Sequence, residues 1–120
     1  MVTEDEIAEI VLALPGTERG ISYRQPDFKL NKKFFTRVRQ PRESDAGALV
    51  LHVDFFERDA LMAMDPETFF TTDHYRNYPS VLIRLARIER DMLEELLAAS
   101  WRLKAPKKLV DAFDAGSARD

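Results

Sequence analysis

Residues 28–39, with the sequence FKLNKKFFTRVR, decide the fold because they form two β-like runs separated by a tight turn. Phe28–Leu30 is a short first strand, and Asn31 with Lys32 can make the turn. Side chains of the second strand alternate between the two faces of a sheet. One face carries Phe34, Thr36 and Val38, and the other carries Phe35, Arg37 and Arg39. The pattern predicts an antiparallel hairpin.

Helices and further strands are predicted on both sides of this hairpin. Before it, Thr3 and Glu6 fit a capping box that begins a helix with one apolar stripe, and Pro15-Gly16 ends that helix. After it, Asp54 is the predicted N-cap of a helix that ends at Asp65-Pro66. The remaining expected segments are a polar loop at 41–47, strands at 48–53 and 81–88, and helices at 90–101 and from Pro106 onward.

This order of elements, about α-β-β-β-α-β-α-α, predicts the α+β class. The expected architecture has two layers, with the helices packed on one face of a mainly antiparallel sheet. A length of 120 residues fits one domain, expected over residues 1–114, and a frayed tail is expected over 115–120.

Composition excludes several classes of protein. The absence of cysteine excludes disulfides, thiolate zinc sites, iron–sulfur clusters and cysteine nucleophiles. The apolar runs are far shorter than a membrane span, and the acidic N-terminus is unlike a signal peptide. The expectation is a cytoplasmic protein that does not bind membranes.

Charge is unevenly distributed along the chain, although the net charge is only −3. Residues 21–42 hold seven basic residues and one acid, whereas the helix starts and loops are acidic. A basic sheet face of this kind can bind the phosphates of DNA. The alternative is an ordinary solvated sheet surface, and the acidic pI of about 5.4 favours that alternative. The predicted phosphate contacts are Lys29, Lys32, Lys33, Arg37, Arg39, Arg76 and Arg84.

Two histidines are the main candidates for chemistry. His52 alternates on a strand, where an ordinary structural histidine is the simpler interpretation. His74 lies in a loop rich in hydrogen-bonding side chains, where a general base and a structural clasp are both open. A pocket in this region would contain Tyr23, His74, Tyr75, Tyr78 and Trp101.

Motifs for metals, cofactors and catalysis are absent from the sequence. It has no HxxxH, HxH or ExxH spacing, no glycine-rich phosphate loop and no GxSxG elbow. We therefore expect no metal, no cofactor and no enzymatic activity.

Four stretches together resemble a known family of small bacterial proteins. They are LPGTE at 14–18, SYRQPDFKL at 22–30, TDHYRNYPSVL at 72–82 and SWRLKAPK at 100–107. In order and spacing they resemble the MmcQ/YjbR-like family over about residues 5–110. The matching positions are Tyr23, Pro26, Phe28, Lys29, His74, Tyr78, Trp101, Pro106 and Lys107.

The resemblance implies a two-layer α+β fold grouped with CyaY-like and secretion-chaperone-like folds. It also implies a "double-wing" DNA-binding label, which is an inference from fold alone. Two positions depart from the family pattern: Arg24 replaces a glycine after the tyrosine, and Ser80 stands where a tryptophan is frequent. The second departure removes one aromatic ring that could stack on a base.

Three hypotheses follow from these observations. The first is a DNA-binding module with weak sequence specificity. The second is a protein-interaction or chaperone-like module, including a homodimer, without catalytic activity. The third is a small-ligand or enzyme pocket, which requires the candidate pocket side chains to converge. An exposed Phe35 and Leu82 ringed by arginines would favour a protein partner, whereas a continuous basic face would favour phosphate.

Overall fold

A computed structural model describes residues 1–40 and 47–118. Its elements confirm the predicted α+β class, with helices at both ends of the described chain and strands between them. The helices are α1 (Glu4–Leu12), α2 (Phe55–Met64), α3 (Arg90–Lys104) and α4 (Lys107–Ala118). The strands are β1 (Thr17–Ser22), β2 (Gln25–Leu30), β3 (Lys33–Val38), β4 (Ala48–His52), β5 (Phe69–Phe70) and β6 (Ser80–Arg84).

The strands form a sheet in the order β1-β2-β3-β4-β6-β5, and every neighbouring pair is antiparallel. Asn31 and Lys32 make the predicted β2–β3 turn with positive φ angles of 52° and 73°, the backbone that a two-residue hairpin turn requires. β6 lies between β4 and β5, because the chain passes through α2 and β5 before it returns to pair with β4.

Local start signals form as the sequence predicts. Thr3 caps α1, and its side chain and that of Glu6 make the reciprocal hydrogen bonds of a capping box. Asp54 caps α2 by accepting a hydrogen bond from the backbone N–H of Glu57 at 2.7 Å. Both caps satisfy backbone donors that the first turn of a helix leaves without intrahelical partners.

The helices cover one face of the sheet, which we call the helix face. Alternate residues of the central strands point into this layer and are buried there: Leu49, Leu51, Val81 and Ile83. They pack with side chains from the described helices, including Ile7, Leu61, Leu97 and Trp101. The predicted two-layer packing is therefore confirmed.

A β-bulge changes the faces predicted for β3. Phe28 pairs with Thr36, and the next residue of β2, Lys29, pairs with Phe34. Phe35 is therefore the extra residue of the bulge and has no partner position in β2. Phe35 consequently turns into the helix-side core, and Phe34 lies on the face that carries Arg37. The predicted grouping of Phe34 with Thr36 is wrong, because strict alternation does not allow for the extra residue.

Several element boundaries also differ from prediction. β6 ends at Arg84 and residues 85–87 form a turn, although Leu85 and Ile88 remain buried in the core. β1 begins at Thr17, outside the predicted strands, and the two-residue β5 was not predicted. α4 continues to Ala118, so it covers part of the expected tail. Most of the predicted 41–47 loop, together with residues 119–120 of the tail, lies outside the described residues.

Candidate ligand pocket

The sheet face opposite the helices, which we call the pocket face, has a small apolar centre. Ala48, Val50 and Leu82 are buried there beneath Phe70 and Tyr75. Tyr75 belongs to the segment between β5 and β6, which therefore covers part of this face. Beside the covered part the sheet remains accessible.

A pocket of about 420 Å³ lies between this covering segment and the strands. Its volume falls within the range of small-molecule sites, roughly 300–1,000 Å³. Aromatic rings, imidazoles, hydroxyls and two cationic side chains surround it, together with Val50 and Pro79. The lining residues are Ser22, Tyr23, Phe34, Phe35, Arg37, Val50, His52, His74, Tyr75, Tyr78, Pro79, Ser80 and Lys104.

Four of the five side chains predicted for a pocket converge here: Tyr23, His74, Tyr75 and Tyr78. Tyr23 stands at the β1–β2 turn and is 98% exposed, so it forms part of the rim. Tyr23 and Arg24 have φ angles of 50° and 65°, the left-handed backbone of a tight hairpin turn. Arg24 adopts this conformation where the family pattern has glycine, so the turn is kept with some strain.

Trp101 must be removed from the predicted pocket. Its side chain is fully buried on the helix face, where its ring packs against Phe113 with centroids 5.1 Å apart. Its Nε1–H donates to the carbonyl of Pro15 at 2.8 Å. These contacts make Trp101 a core residue that joins α3 to the end of α1 and to α4.

Tyr75 is held in place by a cation and a second ring. Arg39 Nη1 donates to the Tyr75 hydroxyl at 2.9 Å, and the guanidinium carbon lies 5.3 Å from the ring centroid. His74 packs edge-on against Tyr75 with ring centroids 4.7 Å apart, and the Tyr78 ring lies 6.3 Å from that of His74. The loop thus presents an ordered aromatic wall.

The charged groups among the lining residues are cationic. Arg37 is oriented by Gln25, whose Oε1 accepts from Nη1 at 2.8 Å. The Lys104 ammonium donates to the carbonyl of Phe34 at 2.9 Å and lies 5.9 Å from the centre of that ring. Among the residues that the structure places around the pocket there is no Asp or Glu. The lining therefore favours a ligand with negative charge.

Burial affects the ionisation of two pocket groups. The pKa of His52 is lowered, first by desolvation and then by the positive charge of Lys104, while the negative charge of Asp54 opposes the shift. The pKa of Lys104 is also lowered, first by desolvation and then by Lys33. A nearby anion would stabilise its charged form.

Ser80 supplies a polar atom without a partner. Its residue is 7% exposed, it lines the pocket, and its Oγ has no hydrogen-bond partner in the described structure. Burial of an unpaired hydroxyl costs free energy. The register places Ser80 opposite His52 on adjacent strands. Ser80 stands at the position where tryptophan is frequent in the family pattern.

The cluster of Ser22, Asp27 and Lys29 lies next to the pocket. Asp27 is 3% exposed, and its Oδ2 accepts from the Ser22 hydroxyl and from Lys29 Nζ, the latter at 2.9 Å. Lys29 Nζ also donates to Ser22 Oγ at 3.0 Å. The carboxylate compensates the lysine charge, so Lys29 has a structural role and is a weak candidate for phosphate contact.

The seven predicted phosphate contacts do not form one continuous group. Lys29, Arg37, Arg39 and Arg84 lie on the pocket face, as the strand register and their contacts show. Lys32 lies in the β2–β3 turn, 3.9 Å from Glu18, and Lys33 pairs with the core-facing Leu30. Arg76 is in the covering loop, in a 2.6 Å ion pair with Asp73.

Arg84 has the most favourable position for an external ligand. It is exposed, its guanidinium lies 4.0 Å from the centre of the Phe70 ring, and its Nη1 donates to the carbonyl of Glu67 at 3.1 Å.

The sequence did not predict Phe34, His52, Ser80 or Lys104 as part of a pocket. The bulge obscured Phe34, and the other three come from separate elements with no shared motif.

Comparison with known proteins settles the family. The model of the YjbR family matches residues 12–103, most of the chain. The chain belongs to the YjbR family. An uncharacterised Mycobacterium tuberculosis protein, Rv2570, is 38% identical over 131 aligned positions that cover 98% of this chain and 99% of the relative. The uncharacterised protein Mb2600 of Mycobacterium bovis matches with the same identity and coverage.

The fold of this YjbR protein has also been seen in a crystal structure. Protein DR2400 of Deinococcus radiodurans, with the domain DUF419, superposes with a TM-score of 0.74 and 22% identity, covering 90% of this chain and 82% of that one. This likeness shows a shared fold. The grouping with CyaY-like folds stays a prediction.

Membrane-spanning helices and grouped metal ligands are both absent from the described residues. In the part of the chain that the structure describes, no helix has the length and apolar character needed to cross a bilayer. Over residues 1–40 and 47–118, no three His, Asp or Glu side chains are grouped as metal ligands.

Proposed function

We propose that this YjbR protein binds single-stranded DNA on its pocket face, with little sequence specificity. The observation that carries the proposal is the placement of arginines and an aromatic pocket on the same side of one sheet. Arg37 in β3 and Arg84 in β6 lie on the two strands that flank β4, and Arg39 follows the end of β3. Tyr75 and Tyr78 line the same pocket as Arg37. Proteins that bind single strands combine cations for the backbone with rings on which bases stack.

The shape of the pocket face favours a single strand over a duplex. The described helices lie on the opposite face, so none can enter a major groove from this side. A pocket of about 420 Å³ can accept an unstacked base but not a base pair within a helix. The rings offer stacking to any base, which explains the expected weak specificity.

The exposed apolar pair that would favour a protein partner is not present on the pocket face. Phe35 and Leu82 are both buried, Phe35 in the helix-side core and Leu82 beneath the covering segment. A protein partner or homodimer stays a prediction without a surface assigned to it.

We also propose a cytoplasmic protein without catalytic activity. The Ser22 hydroxyl has a basic side chain within hydrogen-bond distance, but Lys29 is in an ion pair with Asp27 and donates to Ser22. A charged ammonium does not accept the hydroxyl proton, so this pair is unsuited to general-base catalysis.

Fluorescence anisotropy with labelled single-stranded and duplex DNA, at two salt concentrations, tests the proposal. We expect salt-sensitive binding of the single strand and weaker binding of the duplex. Arg84→Gln and Arg37→Gln should each reduce the slope of log affinity against log salt by about one unit if the residue contacts a phosphate.

Lys108→Gln is the matched control, because it removes one exposed positive charge from α4 on the helix side. We expect the salt slope of this variant to equal that of the unmodified protein. Equal losses in Lys108→Gln and Arg84→Gln, or no binding of either DNA at low salt, would exclude the proposed face.

A further inference from the structure

We infer that the pocket is a binding site for a small planar aromatic molecule that carries an anionic group such as a phosphate. This inference goes beyond DNA binding, because it assigns a ligand to the pocket itself, whether that ligand is free or part of a strand. Three independent features of the lining support it.

The first feature is the arrangement of flat groups around the space. Phe34 comes from β3, whereas Tyr75 and Tyr78 come from the covering loop on the other side. Their origin on opposite walls suits a ring inserted between them, and stacked or edge-on ring contacts are favourable by about 0.5–1.5 kcal/mol each.

The second feature is the positive charge of Lys104 at the pocket. No carboxylate is among the described lining residues. Lys104 is held in place by the carbonyl of Phe34 at 2.9 Å, so its charge is directed at the pocket by a neutral partner. Desolvation lowers the pKa of this lysine, and a bound anion would offset that effect.

The third feature is the unpaired hydroxyl of Ser80. A side chain that is more than nine-tenths buried, lines a pocket and has no hydrogen-bond partner can bond to a polar atom of a ligand.

Equilibrium dialysis with 1-naphthyl phosphate tests the inference on the full chain. Two partial probes separate the requirements: 1-naphthol has the ring without the charge, and inorganic phosphate has the charge without the ring. We expect 1-naphthyl phosphate to bind at least about tenfold more tightly than either, a difference of about 1.4 kcal/mol. Absence of 1-naphthyl phosphate binding at about 5 mM would overturn the inference.

Variants locate the site. Lys104→Gln and Tyr78→Ala should each weaken binding by about fivefold or more, and Ser80→Ala by about threefold. Tyr78 is 58% exposed and the Ser80 hydroxyl has no protein partner, so both variants should fold. Lys108→Gln is the control and should leave the affinity unchanged. Equal affinities of Lys104→Gln and Lys108→Gln would overturn the inference.

A competition arm identifies the source of the aromatic anion. Displacement of 1-naphthyl phosphate by a single-stranded oligonucleotide would support a pocket that receives one nucleotide of the strand. Retention of the probe while the oligonucleotide binds would support a separate site for a free small molecule. The dialysis experiment uses no DNA, so its result does not depend on whether DNA binds in the anisotropy experiment. The two proposals can therefore fail separately.

Discussion

The two faces of the sheet differ in what their side chains contact. The helix face buries aliphatic and aromatic side chains against the helices, and its one indole N–H is satisfied by Pro15. The pocket face carries arginines, tyrosines and histidines around a space, and Ser80 has an unpaired hydroxyl there. The comparison shows that the same strands stabilise the fold with one set of alternate residues and present binding groups with the other.

Trp101→Ala should give the largest loss of stability. The substitution removes a fully buried ring and its hydrogen bond to Pro15, and such changes cost about 3–5 kcal/mol. Urea denaturation followed by circular dichroism measures the effect. On the pocket face, Tyr78→Ala should change the free energy of unfolding by no more than about 0.5 kcal/mol. Similar losses for both would contradict the division between the two faces.

Gly20→Ala should give the next largest loss of stability. A Cβ at this position would lie 2.7 Å from Asp27 Oδ1 and 2.8 Å from Lys29 Cε, so it would disturb a buried ion pair. We expect a destabilisation of about 1–3 kcal/mol in urea denaturation.

Gly116→Ala is the matched control for that substitution. A Cβ there meets no atom within 4 Å, and the residue lies in α4. Alanine is the better helix former, so the control should be neutral or stabilising by up to about 1 kcal/mol. If Gly20→Ala has the same free energy of unfolding as the unmodified protein, the Asp27 cluster adapts more easily than its packing indicates.

The sequence predicted the helix face better than the pocket face. Apolar periodicity and the caps at Thr3 and Asp54 are local signals, and they gave the class, the first helices and the layer arrangement. The pocket depends on a bulge in β3 and on distant residues such as Ser80 and Lys104. Such proximity leaves no short sequence motif. The sequence therefore predicted the loop residues of the pocket but not the lining residues from the strands and from α3.

Arg24→Gly should stabilise the protein by about 1 kcal/mol. Arg24 has a φ of 65°, a conformation that glycine adopts without the steric cost of a Cβ. The thermal midpoint should rise, while binding of the probe and of DNA stays unchanged. A fall in stability would show that the Arg24 side chain makes a compensating interaction in the turn.

The smallest expected effect is a pH dependence of stability from His52. Its pKa in the folded protein lies below the ordinary value of 6.5, so the unfolded chain binds more protons as pH falls through about 6.5. The free energy of unfolding should therefore decrease on acidification from about pH 7.5 to about pH 5. His52→Gln should reduce this decrease. An identical decrease in the variant would show that titratable groups other than His52 cause the pH dependence.

A titration of ¹⁵N-labelled protein with single-stranded DNA, followed by heteronuclear NMR, tests the binding role of the pocket face most directly. The account predicts that the largest amide shifts occur in β3, β4, β6 and residues 72–80, and that Lys104 at the end of α3 also shifts, with little change in the rest of α3 and in α4. Shifts concentrated on residues 90–100 of α3 and on α4, or no shifts at millimolar DNA, would contradict it.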